Sequence, residues 1–238
     1  MPKKLTGLIF IIATLGLLLA ALIYRPLSNS PPKPASSATQ TKAAATHTAS
    51  DWLIEPGSRI GPITATSTLA DLQQWFGPGN VKVSPIPGPE GTTFEGVYVY
   101  PNEPSKTLAL IWKEGSHPQT VAIAQLSGTQ SLWYTQEGVS LGTRLRTLEQ
   151  LNQGAFTLSG FDWDYGGTVL SWGDSGKLRP RFQQNGSLVV RLSLPPEASS
   201  PAHQKAALQV AGDQTFSSSH PAMQTLNPLV TQIQIILQ

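Results

Sequence analysis

The chain has 238 residues, no cysteine and a formal net charge of +2, so disulfides, thiolate nucleophiles and thiolate metal sites are excluded at the outset. Of its sixteen Lys and Arg, five (Lys3, Lys4, Arg25, Lys33 and Lys42) precede residue 50, leaving eleven against all fourteen acidic residues in the remainder. That remainder is mildly acidic and lacks the clustered basic footprint of nucleic acid binding, so no nucleic acid partner is expected.

In chain order, the first feature is Leu5 to Tyr24, an uncharged apolar run directly behind Lys3 and Lys4. As a helix rising ~1.5 Å per residue it would span roughly 30 Å, the thickness of a bilayer's hydrocarbon core. The pattern predicts a single-pass anchor over residues 1–25, in contact with the lipid bilayer through residues 5–24. The competing reading is a cleaved secretory signal, whose apolar region usually runs about 7 to 15 residues; its best cleavage site, Ser28-Asn29-Ser30, would leave Pro31 at the new N-terminus. A basic-then-apolar start places the bulk of the chain outside the cytoplasm, with the anchor in a bacterial-type inner (cytoplasmic) membrane. Residues 26–50 are rich in Pro, Ala, Ser and Thr without an aromatic residue, which predicts a disordered linker with a reach on the order of 25 to 30 Å.

Order is expected from Asp51 to the C-terminus, residues 51–238, as one extracytoplasmic domain. Leu69, Leu72, Trp75 and Phe76 fall at helical spacing behind a Thr68/Asp71 capping pair and ahead of Gly77-Pro78-Gly79, which predicts a helix over Thr68 to Phe76. A shift of 76 places Ile63, Ser67, Leu69, Leu72, Gln74 and Trp75 over Val139, Thr143, Leu145, Leu148, Gln150 and Leu151. A second short helix is therefore expected from Thr143 to Asn152, in a degenerate tandem repeat with units starting near 60 and 137. Strands are expected over Thr93–Tyr100, Thr107–Trp112, Thr120–Leu126, Ser131–Thr135, Leu188–Leu194 and Ile233–Leu237, with Pro195 to Ala202 a loop. The fold class that follows is α+β: an N-terminal transmembrane helix, then a mainly antiparallel β domain with two short helices.

Ile63-Thr64, Ser67 to Leu72 and Trp75-Phe76-Gly77-Pro78 give this unit a resemblance to the β-lactamase-inhibitor-protein type of envelope domain. The resemblance spans about a tenth of the chain. The second copy carries Asn152-Gln153-Gly154 in place of the Gly-Pro stop, and no binding residue transfers. It implies a helix-plus-antiparallel-strands unit used twice, in a protein that acts by binding another.

The richest chemical signal is Phe161-Asp162-Trp163-Asp164-Tyr165, then Gly166-Gly167, then Thr168 to Trp172. Gly-Gly between two β-rich arms predicts a two-residue hairpin turn. Its register aims Phe161, Trp163, Tyr165 and Trp172 to one side and Asp162, Asp164 and Ser171 to the other. If the next strand follows a five-residue loop, Leu178, Pro180 and Phe182 extend the aromatic side, and Arg179 and Arg181 join the acidic side as a cross-strand Asp/Arg ladder. Asp162, Asp164, Ser171, Arg179 and Arg181 are thus the candidate binding residues. Two carboxylates at i and i+2 of a strand would lie roughly 6.5 to 7 Å apart, near the spacing of inverting glycosidases, but the aromatic rings would project from the opposite face.

Gly173-Asp174-Ser175-Gly176 matches the tetrapeptide around a chymotrypsin-like nucleophile, and His117, an aspartate and Ser175 occur in that family's order. The aspartates, however, lie on the serine's own hairpin, whereas a triad brings them together from separate parts of a fold. None of the four histidines has metal-ligand spacing, so no cofactor, metal or catalytic residue is expected. The leading expectation is a membrane-tethered extracytoplasmic module that is not an enzyme: an inhibitor, assembly factor or scaffold with an extracytoplasmic protein partner. A cell-wall glycan or small-ligand binding module is the alternative, marked by exposed coplanar tryptophans. An envelope hydrolase, marked by a convergent Asp, His and Ser pocket, is the third.

Overall fold

A computed structural model of the chain describes residues 50–183, 187–197 and 199–238, which belong to a compact unit spanning 45–238. Its centre is a six-stranded, fully antiparallel sheet of β1 (Val81–Val83), β2 (Gly96–Val99), β3 (Leu108–Trp112), β4 (Val121–Ser127), β5 (Leu188–Ser193) and β6 (Leu229–Ile236). The spatial order is β5-β6-β4-β3-β2-β1. A three-stranded sheet holds Thr157–Ser159 between Val169–Ser171 and Thr215–Ser217. An antiparallel bridge from Thr168 to Arg191 connects it to the free edge of β5. A further small sheet near the start of the domain includes a parallel pairing of Leu53–Ile54 with Tyr134–Thr135.

Period-two alternation dictates how the central sheet is covered. Val97, Leu110, Ala124, Ile235 and Leu188 form one continuous cross-strand row, all buried on the same side. They share one apolar cluster with Leu72 and Phe76 of α1 (Leu69–Phe76) and Leu145 and Leu148 of α2 (Leu145–Asn152). Phe182 of α3 (Arg179–Phe182), Ala206 of α4 (Pro201–Gln209) and Met223 of α5 (Pro221–Leu226) complete it. Each fully buried Leu, Ile or Val in that layer contributes on the order of 2 kcal/mol. The alternate residues face the other way; Tyr98, Gln125, Gln234 and Val189 among them are only half-buried, while Ala109 and Ile111 of β3 are buried there.

Two stretches 76 positions apart are built alike. The helices start at Leu69 and Leu145, and the extended segments after them at Val81 and Thr157. The Ser67 hydroxyl accepts from the Thr64 amide at 2.9 Å, as the Thr143 hydroxyl does from the Ser140 amide at 3.0 Å. Their ends differ. Thr68 and Asp71 close a reciprocal capping box on α1, whereas Arg144 caps α2 without a side-chain bond and Gln153 turns the chain out at φ 56°.

The expected fold class needs correction. No helix among the described residues is long and apolar enough to cross a membrane; the transmembrane helix expected over 5–24, and the linker before Ser50, lie outside them. The described residues hold five short helices rather than two. The extra ones follow proline: Pro201 and Pro221 occupy the first helical position behind Ser200 and His220, whose side chains accept from His203 N and Ala222 N. A proline there loses no hydrogen bond and arrives with helical φ. The strand expected after the Gly173–Gly176 turn is also helical, at Arg179–Phe182. Leu178 and Phe182 are buried because they lie one helical turn apart rather than on one face of a strand.

Asn152, fully buried at the end of α2, ties this region together. Its amide nitrogen donates to Trp172 O at 2.9 Å and Gly154 O at 3.0 Å, and its side-chain oxygen accepts from Leu178 N at 3.1 Å. Asn152→Leu strands the buried Trp172 carbonyl and the buried Leu178 amide and is expected to cost about 2 to 4 kcal/mol, read by denaturant unfolding of the full chain. A change below about 0.5 kcal/mol, the size of a typical surface substitution, would show that the Trp172–Leu178 turn is held by other contacts.

Candidate functional site

Because all five helices contribute to the single cluster under one face of the sheet, the other face is where the chain leaves side chains accessible. Its middle is polar: Gln234 of β6 donates to Gln125 of β4 at 2.8 Å across their paired register. Two segments flank it. At the β2–β3 end, a hairpin pairs Ile86–Pro87 with Thr93–Phe94 and lays the fully buried Ile86 against Ala109 and Ile111, with Tyr98 and Ile123 alongside. Gly96 makes this possible, since a Cβ there would meet Leu110 O at 2.2 Å and Ile86 Cγ1 at 2.6 Å. At the β5 edge stands the loop 160–168.

That loop replaces the expected hairpin. Val169–Ser171 pairs with Thr157–Ser159, not with Phe161–Tyr165. A two-residue turn of the expected kind needs positive φ at both glycines, and only Gly167 has it, at 73°. The left-handed residue at the loop's start is Asp162, at φ 65°. The two glycines serve close packing instead. A Cβ on Gly166 would meet Gly160 O at 3.0 Å, and one on Gly167 would meet Leu192 O at 1.9 Å. Leu192 N donates to Gly167 O at 2.9 Å, and the Arg191 guanidinium donates through Nε to Gly166 O at 2.7 Å.

The candidate residues therefore separate. Asp162 and Asp164 are exposed on the loop. Phe161 and Trp172 are buried, while Trp163 and Tyr165 are half-buried with their rings 5.5 Å apart at 66°. Trp163 is fixed by its indole nitrogen donating to Gly160 O at 2.9 Å. Ser171 accepts from Gly173 N at 3.1 Å. Arg179 pairs with Asp174 at 3.2 Å, and Arg181 with Glu137 at 3.3 Å and Gln136 at 2.6 Å. Both arginines are on α3, so the Asp/Arg ladder between strands does not form.

Two residues missed in the sequence join Asp164 and Tyr165. The Tyr165 hydroxyl lies 3.5 Å from Glu90 Oε1 at the tip of the flanking hairpin, so the two flanks touch. Burial, then the Glu90 and Asp164 carboxylates, push the Tyr165 hydroxyl above the ordinary tyrosine range and keep it protonated. Burial also lowers the Arg191 guanidinium, against the opposing pull of Asp164 and Tyr165; an arginine remains charged all the same. The signal for Arg191 was present, as a charge at an outward position of an apolar strand. The signal for Glu90 was not, because its contact spans 75 positions.

Other arrangements were weighed against the same geometry. Ser175 is exposed beside an open depression of about 720 Å³ lined by Asp174, Lys177, Arg179 and Gln183, with no histidine in its lining. Among the described residues no group of His, Asp and Glu could hold a metal ion. Trp112, Trp133 and Trp172 are buried and Trp52, Trp75 and Trp163 half-buried, so no tryptophan is among the exposed side chains that would mark a glycan platform. Comparison of the chain with protein-family models, curated proteins and solved structures gave no match.

Gly167→Ala forces a methyl onto Leu192 O and a left-handed backbone onto alanine. It is expected to cost at least about 2 kcal/mol, from roughly 1 to 2 for the conformation and a further 1 to 3 for overpacking. Thermal unfolding measures this. Gly154→Ala, where a Cβ meets no atom within 4 Å, is the control, and equal melting of the two variants would show that the loop is not anchored through Gly167.

Proposed function

We propose that the domain binds another protein, without catalysis, through the outer face of the central sheet between the 86–94 hairpin and the 160–168 loop. The observation that carries this is the uneven cover of the sheet: five helices contribute to the cluster under one face, while the other is left half-exposed around Gln125 and Gln234, between a hairpin packed through Ile86 over Gly96 and a loop pinned at Gly167. A rigid surface of accessible Tyr, Gln and Trp between fixed flanks suits docking of a preformed partner, because little ordering cost falls on binding. An inhibitor, assembly factor or scaffold is the class that fits, and the resemblance to β-lactamase-inhibitor-type domains favours the first. The work is proposed to take place outside the cytoplasm, on the support of the apolar N-terminal sequence.

The test is site-specific photocrosslinking in cells. A photoreactive side chain at Gln125 or Gln234 is expected to capture one discrete species in the full chain. The same group at Leu208, on α4 and 81% exposed, captures none. Equal capture at all three positions, or none at Gln125 and Gln234, contradicts the proposal.

A further inference from the structure

Resting on that reading, we infer that the partner presents a basic surface, and that one of its Lys or Arg side chains seats against Trp163 and Tyr165 between the carboxylates of Glu90 and Asp164. The rings, half-buried and 5.5 Å apart, form an edge-to-face pair tilted by 66°, so each keeps a π face that the other does not cover, and such a face attracts an ammonium or guanidinium group. Carboxylates reach them from two separate parts of the chain, Asp164 from the same loop and Glu90 from the opposite flank, 3.5 Å from the Tyr165 hydroxyl.

The charge balance selects the sign of the partner. Glu90, Asp162 and Asp164 are exposed, and none belongs to an ion pair among the described residues. Arg191, which interacts with Asp164 and Tyr165, is half-buried in the sheet face with its Nε committed to Gly166 O. Two acids, Glu90 and Asp164, beside one partly sunken base leave this site negative, on a domain that itself has more acidic than basic residues. Complementary charge across an interface chooses partners and raises association rates, and aromatic side chains beside such charges supply the centre of the contact.

The experiment titrates the full chain with an oligolysine peptide at low salt, with a lysine-acetylated copy of the peptide as the uncharged control. Glu90→Gln with Asp164→Asn, and separately Trp163→Leu, are each expected to weaken oligolysine binding about fivefold or more, the loss expected when an ion pair or cation–π contact goes. Glu114→Gln with Asp213→Asn, which removes two exposed carboxylates elsewhere, is expected to leave it unchanged, and the acetylated peptide is expected not to bind. Equal weakening by the two double variants shows a general charge effect and overturns the inference, as does binding of the acetylated peptide. Photocapture at Gln125 that persists in Glu90→Gln/Asp164→Asn overturns the cation site and keeps the sheet-face reading. Loss of capture at Gln125 with carboxylate-dependent oligolysine binding intact overturns the sheet-face reading and keeps the cation site.

Discussion

Alternation along six antiparallel strands is the constraint from which this architecture follows. A strand can bury only every second residue in one layer, and here that layer is complete: Val97, Leu110, Ala124, Ile235 and Leu188 pass from strand to strand with almost no exposure. Five short helices contribute to its cover, together with Ile54, Ile60, Trp133, Phe156 and Trp172 from outside the helices. On the other side the 86–94 hairpin covers β3 through Ile86 and the 160–168 loop covers the β5 edge, which leaves the region around Gln125 and Gln234 half-exposed. The accessible face is thus a consequence of how the core is built.

Glycine decides how closely those margins approach. At Gly96 the backbone of β2 makes room for Ile86, and at Gly167 the loop comes so near β5 that Leu192 O occupies the space of a side chain. The hairpin is held through its buried Ile86 side chain, and the loop through main-chain contacts of Gly167 and the Trp163 indole bond to Gly160 O. The convergence of Trp163, Tyr165, Asp164 and Glu90 depends on these two close approaches.

Local signals were legible in the sequence wherever the structure obeys local rules. Thr68 and Asp71 cap α1 as their spacing implies, and the alternation of Leu188, Val190 and Leu192 and of Ile233 and Ile235 marks two adjacent strands of the six-stranded sheet. Failures arose where one pattern fits two geometries. Leu178 and Phe182 are four apart, a spacing that serves one face of a strand and one face of a helix alike, and the helical turn prevailed. Gly166-Gly167 reads as a hairpin turn if both glycines are there for positive φ; one is there for space. Pro201 lies in the stretch expected as a loop, Pro195 to Ala202, yet it starts a helix, as Pro221 does. Of the site, the stretch around Asp162 and Asp164 was visible and Arg191 was legible as an outward charge on an apolar strand, while Glu90 was set by a contact between distant segments that no local pattern records.

The account stands on the outer sheet face being open in the isolated chain and covered when the protein works. Hydroxyl-radical footprinting of the full chain, purified and in its native cells, measures that directly. The account predicts that Tyr98, Trp163 and Tyr165 are oxidised in the purified chain and protected in cells, while Tyr134 and Leu208, exposed elsewhere, are modified equally in both. Equal modification of Tyr98, Trp163 and Tyr165 in the two settings would contradict it.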